Sequence, residues 1–278
     1  MNMLPKIVLT LCITGICAGH TKGFDFYRPV GARGWGMGNS TITFTDVWST
    51  QNNQAGLGFI KNATAGTFLE NRFGLSTLNY GVAAVALPTR FGTFGVNVNQ
   101  FGYSAYSEQK FGLGFGRAFT DKFSFGFQMN YQHVRIAEYQ RAGAISIEAG
   151  IIYKVNKQLH AAFHLSNPTL QEMPAPINQR LPVAGKMGLA YLVSEKFTFT
   201  AEGVRIMDAP VSVRTGAEYK VHPDFHVRAG FMSNPNTATF GAGYRKAGWQ
   251  IDVATSIQPV LGISPHASLS YQFARKTK

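Results

Sequence analysis

The sequence predicts an all-β chain: a transmembrane antiparallel β-barrel of about fourteen strands, with an N-terminal segment placed in its lumen. Three observations predict it. Large apolar residues alternate with small or polar ones in segments that recur from about Lys61 to the C-terminus. A secretion signal precedes them. The connections between the segments tend to alternate between tight and longer.

The alternation is clearest where Phe123, Phe125, Phe127, Met129 and Tyr131 interleave with Ser124, Gly126, Gln128 and Asn130. It returns at Ile145, Ile147, Ala149, Ile151 and Tyr153, and again at Ala267, Leu269, Tyr271 and Phe273. Successive strand side chains point to opposite faces, so one face is apolar and the other small and polar. A barrel with lipid outside and water inside needs this division. The composition agrees, with 30 Gly, 22 Phe and only 14% charged residues.

The first residues carry Lys6 and then the apolar run Ile7–Ala18, too short for a spanning helix and followed by small residues. Residues 1–19 read as a signal peptide for Sec-dependent export, cleaved between about Ala18 and Lys22. Cys12 and Cys17 both lie in it, and Ile16 stands where a lipoprotein signal wants a small residue. The remaining chain has no cysteine, hence no disulfide framework and no thiolate chemistry. The net charge of +12 would raise nucleic acid as a partner in another setting. Behind an export signal it points instead to anionic lipid headgroups and lipopolysaccharide. The expected location is a bacterial outer membrane.

Residues 61–278 form the expected barrel. Strands are predicted near 63–70, 77–87, 93–103, 108–119, 123–136, 143–154, 159–166, 184–192, 197–206, 211–220, 225–232, 237–245, 248–256 and 266–274. Tight turns are expected at 89–92, 120–122, 156–158, 193–196, 221–224 and 246–247, with longer outer connections at 167–183 and 257–265. Aromatics such as Phe91, Phe119, Tyr153, Tyr219 and Trp249 flank the tight turns, as an interfacial girdle would.

By parity, Glu148, Lys186, Glu202, Arg214, Glu218, Arg228, Arg245 and Asp252 face the lumen. Hairpin registers put Glu218 near His226 or Arg228, and Glu202 beside Arg214. Two readings are open: a charged constriction that selects solutes, or mutual neutralisation that fills a narrow bore. His160 and His164 also face inward, without the further ligands a metal needs, so no metal or other cofactor is expected. His164-Leu165-Ser166-Asn167 resembles the His-x-Ser-Asn element of outer-membrane phospholipase A. Pro168 stands where that family has Gly, and parity puts His164 and Ser166 in the lumen, so an enzyme is not expected.

Residues 20–60 alternate poorly and hold two motifs: Gly31-Ala32-Arg33 with Gly36-Met37-Gly38, and Asn53-Gln54-Ala55-Gly56-Leu57. The Gly-rich run lacks the spacing of a dinucleotide site. The pair resembles the N-terminal signature of the PorV/PorQ-like outer-membrane proteins of Bacteroidota, relatives of the FadL long-chain fatty acid transporters. Those transporters carry Asn-Pro-Ala at the second motif, where this chain has Gln54. The resemblance implies a fourteen-strand barrel and a hatch or plug built on Gly31, Arg33, Gly36, Gly38, Asn53, Ala55 and Gly56. It implies either an accessory subunit of a protein secretion or assembly complex, as in type IX secretion, or a channel for hydrophobic or small solutes. The partner would be another outer-membrane protein in the first case and a hydrophobic ligand in the second. In the connection 167–183, Leu170, Met173, Ile177 and Leu181 are the candidate partner surface, the alternative being an ordered cap over the barrel mouth.

Overall fold

The structure is a computed structural model that describes residues 27–138 and 140–274. The predicted signal peptide and the basic tail from Arg275 lie outside the described residues. Fourteen antiparallel strands close into one barrel. They are β1 (Thr64–Asn71), β2 (Asn79–Pro88), β3 (Thr93–Gly102), β4 (Tyr106–Ala118), β5 (Phe123–Ile136), β6 (Gln140–Lys154) and β7 (Leu159–Ser166). They continue as β8 (Ala184–Leu192), β9 (Phe197–Ile206), β10 (Ser212–His222), β11 (Phe225–Met232), β12 (Thr237–Lys246), β13 (Trp249–Gln258) and β14 (Gly262–Gln272). Every strand pairs with its sequence neighbour, and β1 pairs with β14 from Thr64↔Gln272 to Glu70↔His266 to close the wall. Closure leaves no open edge, the condition for strands in lipid.

Parity sorts the side chains. Phe127, Met129, Ile145 and Ile147 are exposed outward, while Gln128, Asn130, Ser146 and Glu148 are buried inward. Phe91, Phe119, Tyr153, Tyr191, Tyr219, Tyr244, Trp249 and Phe273 stand exposed near the tight-turn end. That end is made of short connections. At Ala247-Gly248 both residues have positive φ (50° and 85°), the conformation of a two-residue hairpin turn. Among the described residues no helix is long and apolar enough to cross a membrane.

The opposite end departs from expectation. The apolar connection expected at 257–265 is mostly strand: pairing runs to Gln258↔Gly262 and leaves only residues 259–261 as turn. Pro265 does not break it, because it pairs with Thr255 of β13 just past His266, where the ladder with β1 ends and no N–H is needed on that side. The turns at 103–105 and 137–139 are equally short, because β4, β5 and β6 continue outward as paired strands. The alternation of short and long connections therefore rests mainly on 72–78 and 167–183.

The long loop folds back over the mouth. Met173 and Leu181 are buried with Val134, Ala142 and Ala144, and Ile177 packs against them. Asn167 ties the loop's ends, accepting from the Gln171 N–H (3.0 Å) and donating to the Leu181 carbonyl (3.1 Å). Of the four residues expected on a partner surface, only Leu170 is exposed. The barrel mouth offers an apolar wall, and burying three side chains there outweighs leaving them in water.

Candidate functional site

The lumen and the segment before β1 make one site. From Tyr27 to β1 the chain contains two short helices, α1 (Ala32–Gly36) and α2 (Ser49–Asn52), and a 3-10 turn at Gln54–Phe59. Almost all of it is buried against inward-facing strand residues. The helix α1 touches β11 to β14, and the 3-10 turn touches β3 to β6, so the segment crosses the bore.

Glycines on the wall give it room. A Cβ on Gly216, Gly230 or Gly241 would run into the backbone or side chain at Met37, Gly38 and Gly36. A Cβ on Gly116 or Gly126 would meet Gln54, and one on Gly150 would meet Asn53. Gly38 itself has φ +61°, which favours glycine, and its N–H donates to Thr239 Oγ1 at 2.9 Å.

The lumen charges hold the segment through three clamps. In the first, Arg33 donates to both carboxylate oxygens of Glu218, at 3.0 and 2.7 Å. Arg228 donates to the same Glu218 at 2.6 Å and to Asp252 at 2.8 Å. Asp46, in the segment, lies 3.8 Å from Arg33. Burial raises the Asp46 carboxyl above the usual carboxylate range, against the opposing pull of Arg33. In the second clamp, Glu202 accepts the backbone N–H groups of Thr41 (2.8 Å) and Ile42 (2.9 Å), with Arg214 at 3.7 Å. Arg214 also donates to the Asn39 carbonyl at 3.3 Å.

The third clamp centres on Gln54. Its amide donates to Glu148 at 3.2 Å and its carbonyl oxygen lies 3.0 Å from His164 Nε2. Glu148 also accepts from Lys110 (2.7 Å) and Asn130 (3.0 Å). Lys186 donates to the Asn52 carbonyl. A proline at position 54 would remove this amide, so the departure from the Asn-Pro-Ala pattern has a physical role here. His164 is engaged by Gln54 and Glu148, and no hydrogen bond joins it to Ser166 among the described residues.

Each acidic lumen group named here faces a basic one, so these charges balance within the wall and segment. Arg245 differs, lying exposed at the rim against Gln250. Asn53 caps the 3-10 turn by accepting the Ala55 N–H, and the Ala55 carbonyl receives the Ser124 hydroxyl. Gly31 and Gly56 are held close against Trp48 and Ser49. Lys110 was missed by sequence reasoning, although it lies inside the predicted strand 108–119 and shares the inward parity of Gly112 and Gly114. Nothing in the sequence flagged the stack of Trp35 on His266 (centroids 4.2 Å apart).

The other side of the lumen is apolar. Trp35, Val47, Trp48 and Leu57 of the segment form one cluster with Phe68, Tyr80, Val82, Ala84 and Phe101 on the inward faces of β1 to β3. Only β2 is apolar along its whole inward face, with Tyr80, Val82, Ala84 and Ala86, while β1 also turns Glu70 inward and β3 turns Asn97 and Asn99 inward.

This barrel matches solved structures along nearly its whole length. The fold is that of the FadL-like outer-membrane barrels. The toluene transporter TbuX of Ralstonia pickettii aligns with a TM-score of 0.68 and 13% identity, over 92% of this chain and 100% of that one. The toluene transporter TodX of Pseudomonas putida gives 0.63 and 12% identity, over 89% and 98%. A FadL homologue of Pseudomonas aeruginosa gives 0.62 and 15% identity, over 88% and 98%. No family model and no curated protein matches the sequence. At such identities the likeness is one of fold.

Proposed function

We propose that the chain is a plugged, FadL-like channel of the outer membrane that passes small hydrophobic molecules. The observation that carries this reading is the apolar cluster that the inward face of β2 forms with Phe68 of β1 and Phe101 of β3. A water-filled pore has no use for Phe68, Tyr80, Val82 and Phe101 in its lumen, whereas an apolar solute gains from such a lining. The inner segment acts as the plug, held by the three clamps on the polar side and by packing on the apolar side. The likeness to hydrocarbon transporters supports the same reading over the accessory role.

The experiment is uptake into liposomes holding the purified chain. A small apolar aromatic such as toluene should enter faster than through protein-free vesicles, while a hydrophilic sugar should not. Replacing Val82 with Ser should slow the aromatic and leave the sugar excluded.

A second reading, the accessory subunit of a protein secretion or assembly complex, draws on the Gly31–Gly38 motif and on the short outer turns at 103–105, 137–139 and 259–261. Absence of aromatic uptake, together with a stoichiometric protein partner on gentle purification from the native membrane, would favour it.

A further inference from the structure

Arg135 and Arg141 stand directly opposite each other on β5 and β6, and both point outward. Below them the outward face of this hairpin is apolar, from Phe125 to Tyr131 on β5 and from Ile151 to Ile145 on β6. At His133 it turns polar. His133 faces Gly143 on one side and Gln109 on the other, and Ser107 lies beside Arg135.

The level of this change can be estimated. From Phe123 to Arg135 the strand climbs twelve residues. At about 3.3 Å per residue and a tilt of about 40° that is a height of roughly 30 Å. The apolar band of such barrels is about 25 Å tall. The two guanidinium groups therefore stand just beyond the band, at the end away from the tight turns.

Like charges directly opposite on a ladder are destabilising unless something lies between them. Neither arginine has a hydrogen-bond or ion-pair partner among the described residues. Other arginines on the same rim do: Arg72 has Glu70 at 2.9 Å, and Arg180 has Glu172 at 3.0 Å. The acidic residues nearest in sequence do not fill the gap. Glu108 is turned inward and buried, and Glu138 sits in the turn beyond the pair. Just below, Tyr131 lies across Gly143, where a Cβ would collide with its hydroxyl. The phenol is thereby directed along the hairpin toward the arginine end.

We propose that Arg135 and Arg141 bind a phosphate group of lipid A, the membrane anchor of lipopolysaccharide, in the outer leaflet. Two guanidinium forks around one phosphate satisfy both charges, and the apolar strip below accepts the acyl chains. This rests on the outer-membrane reading, which places the long-loop end of the barrel at the cell surface.

The test is native mass spectrometry of the detergent-purified full chain titrated with bisphosphorylated lipid A, dephosphorylated lipid A and phosphatidylglycerol. The intact chain should prefer bisphosphorylated lipid A. The variant R135Q/R141Q should bind it roughly thirtyfold more weakly, at about 1 kcal/mol per arginine. R135K/R141K should recover most of the loss. R205Q, an outward arginine opposite Gly185 rather than another arginine, should bind as the parent does. Unchanged binding by R135Q/R141Q, or equal binding of phosphatidylglycerol, would overturn the proposal. Heat-shifted gel migration verifies that each variant is a folded barrel, with R141Q alone as the substitute if the double variant is not. Surface labelling of a cysteine introduced at Leu170 in intact cells tests the orientation independently, so failure of the lipid site and failure of the outer-membrane reading give different results.

Discussion

On the β10–β13 side of the lumen the inner segment is held by charge, and on the β1–β3 side it is held by apolar packing. The first side presents Arg33, Glu218, Arg228 and Asp252 within hydrogen-bonding distance of one another. The second presents Trp48, Phe68 and Tyr80 edge to face, with centroids 6.2 Å apart in each pair. The difference is one of tolerance. Buried ion pairs cost much to desolvate and fail sharply when one partner is lost. Apolar contacts lose stability in proportion to the atoms removed. A segment attached in both ways is fixed in register by one side and gripped without directional demands by the other.

The largest expected effect breaks the charged side. Glu218→Gln removes the carboxylate that Arg33 and Arg228 share and leaves Arg228 with Asp252 alone, at a cost of about 3–5 kcal/mol. Urea unfolding in detergent would read the loss, and limited proteolysis should cut residues 27–60 faster than in the parent. Continued protection of those residues would mean that apolar packing suffices alone.

On the other side Phe68→Ala should cost about 3 kcal/mol in the same titration. Because four strands separate Glu218 on β10 from Phe68 on β1, the double variant should lose the sum of the two within about 0.5 kcal/mol. A larger discrepancy would show that the segment couples the walls.

Gly230→Ala tests the seat between them. Its Cβ would press into the backbone at Met37 and Gly38, costing about 1–3 kcal/mol. The smallest change should come from Asp46→Asn, within about 0.5 kcal/mol at neutral pH. The Asn oxygen can still accept the Trp48 N–H, as Asp46 does at 3.0 Å. Since the folded carboxyl titrates above its unfolded value, Asp46 favours the folded state more as pH falls through that interval, and the Asn variant should lack this slope.

Much of the wall was legible because a strand repeats every two residues and a tight hairpin fixes register. That logic put Glu218 near His226 or Arg228 and Glu202 beside Arg214, and the ladder pairs Glu218 with Arg228 and Glu202 with Arg214. It failed at the outer turns, where the apolar residues around Val260 read as loop but belong to the tip of a continuing hairpin. It was silent about the segment's seats. Thr41 meets Glu202 and Ala32 meets Ser268 across more than 150 positions of chain, with no period to announce them. The only trace was indirect: the wall glycines stand at inward positions, where a narrow bore and an occupied bore look alike in sequence.

The place of α1 also bears on the order in which the chain can assemble. Its neighbours are β11 to β14, the last strands to be synthesised, and the seam joins Thr64 to Gln272. Contacts of such long sequence separation are slow to form. A cylinder zipped shut early would exclude the segment from its own interior. Closure of the seam must therefore be the late step, with residues 32–38 waiting unseated until the final hairpins arrive.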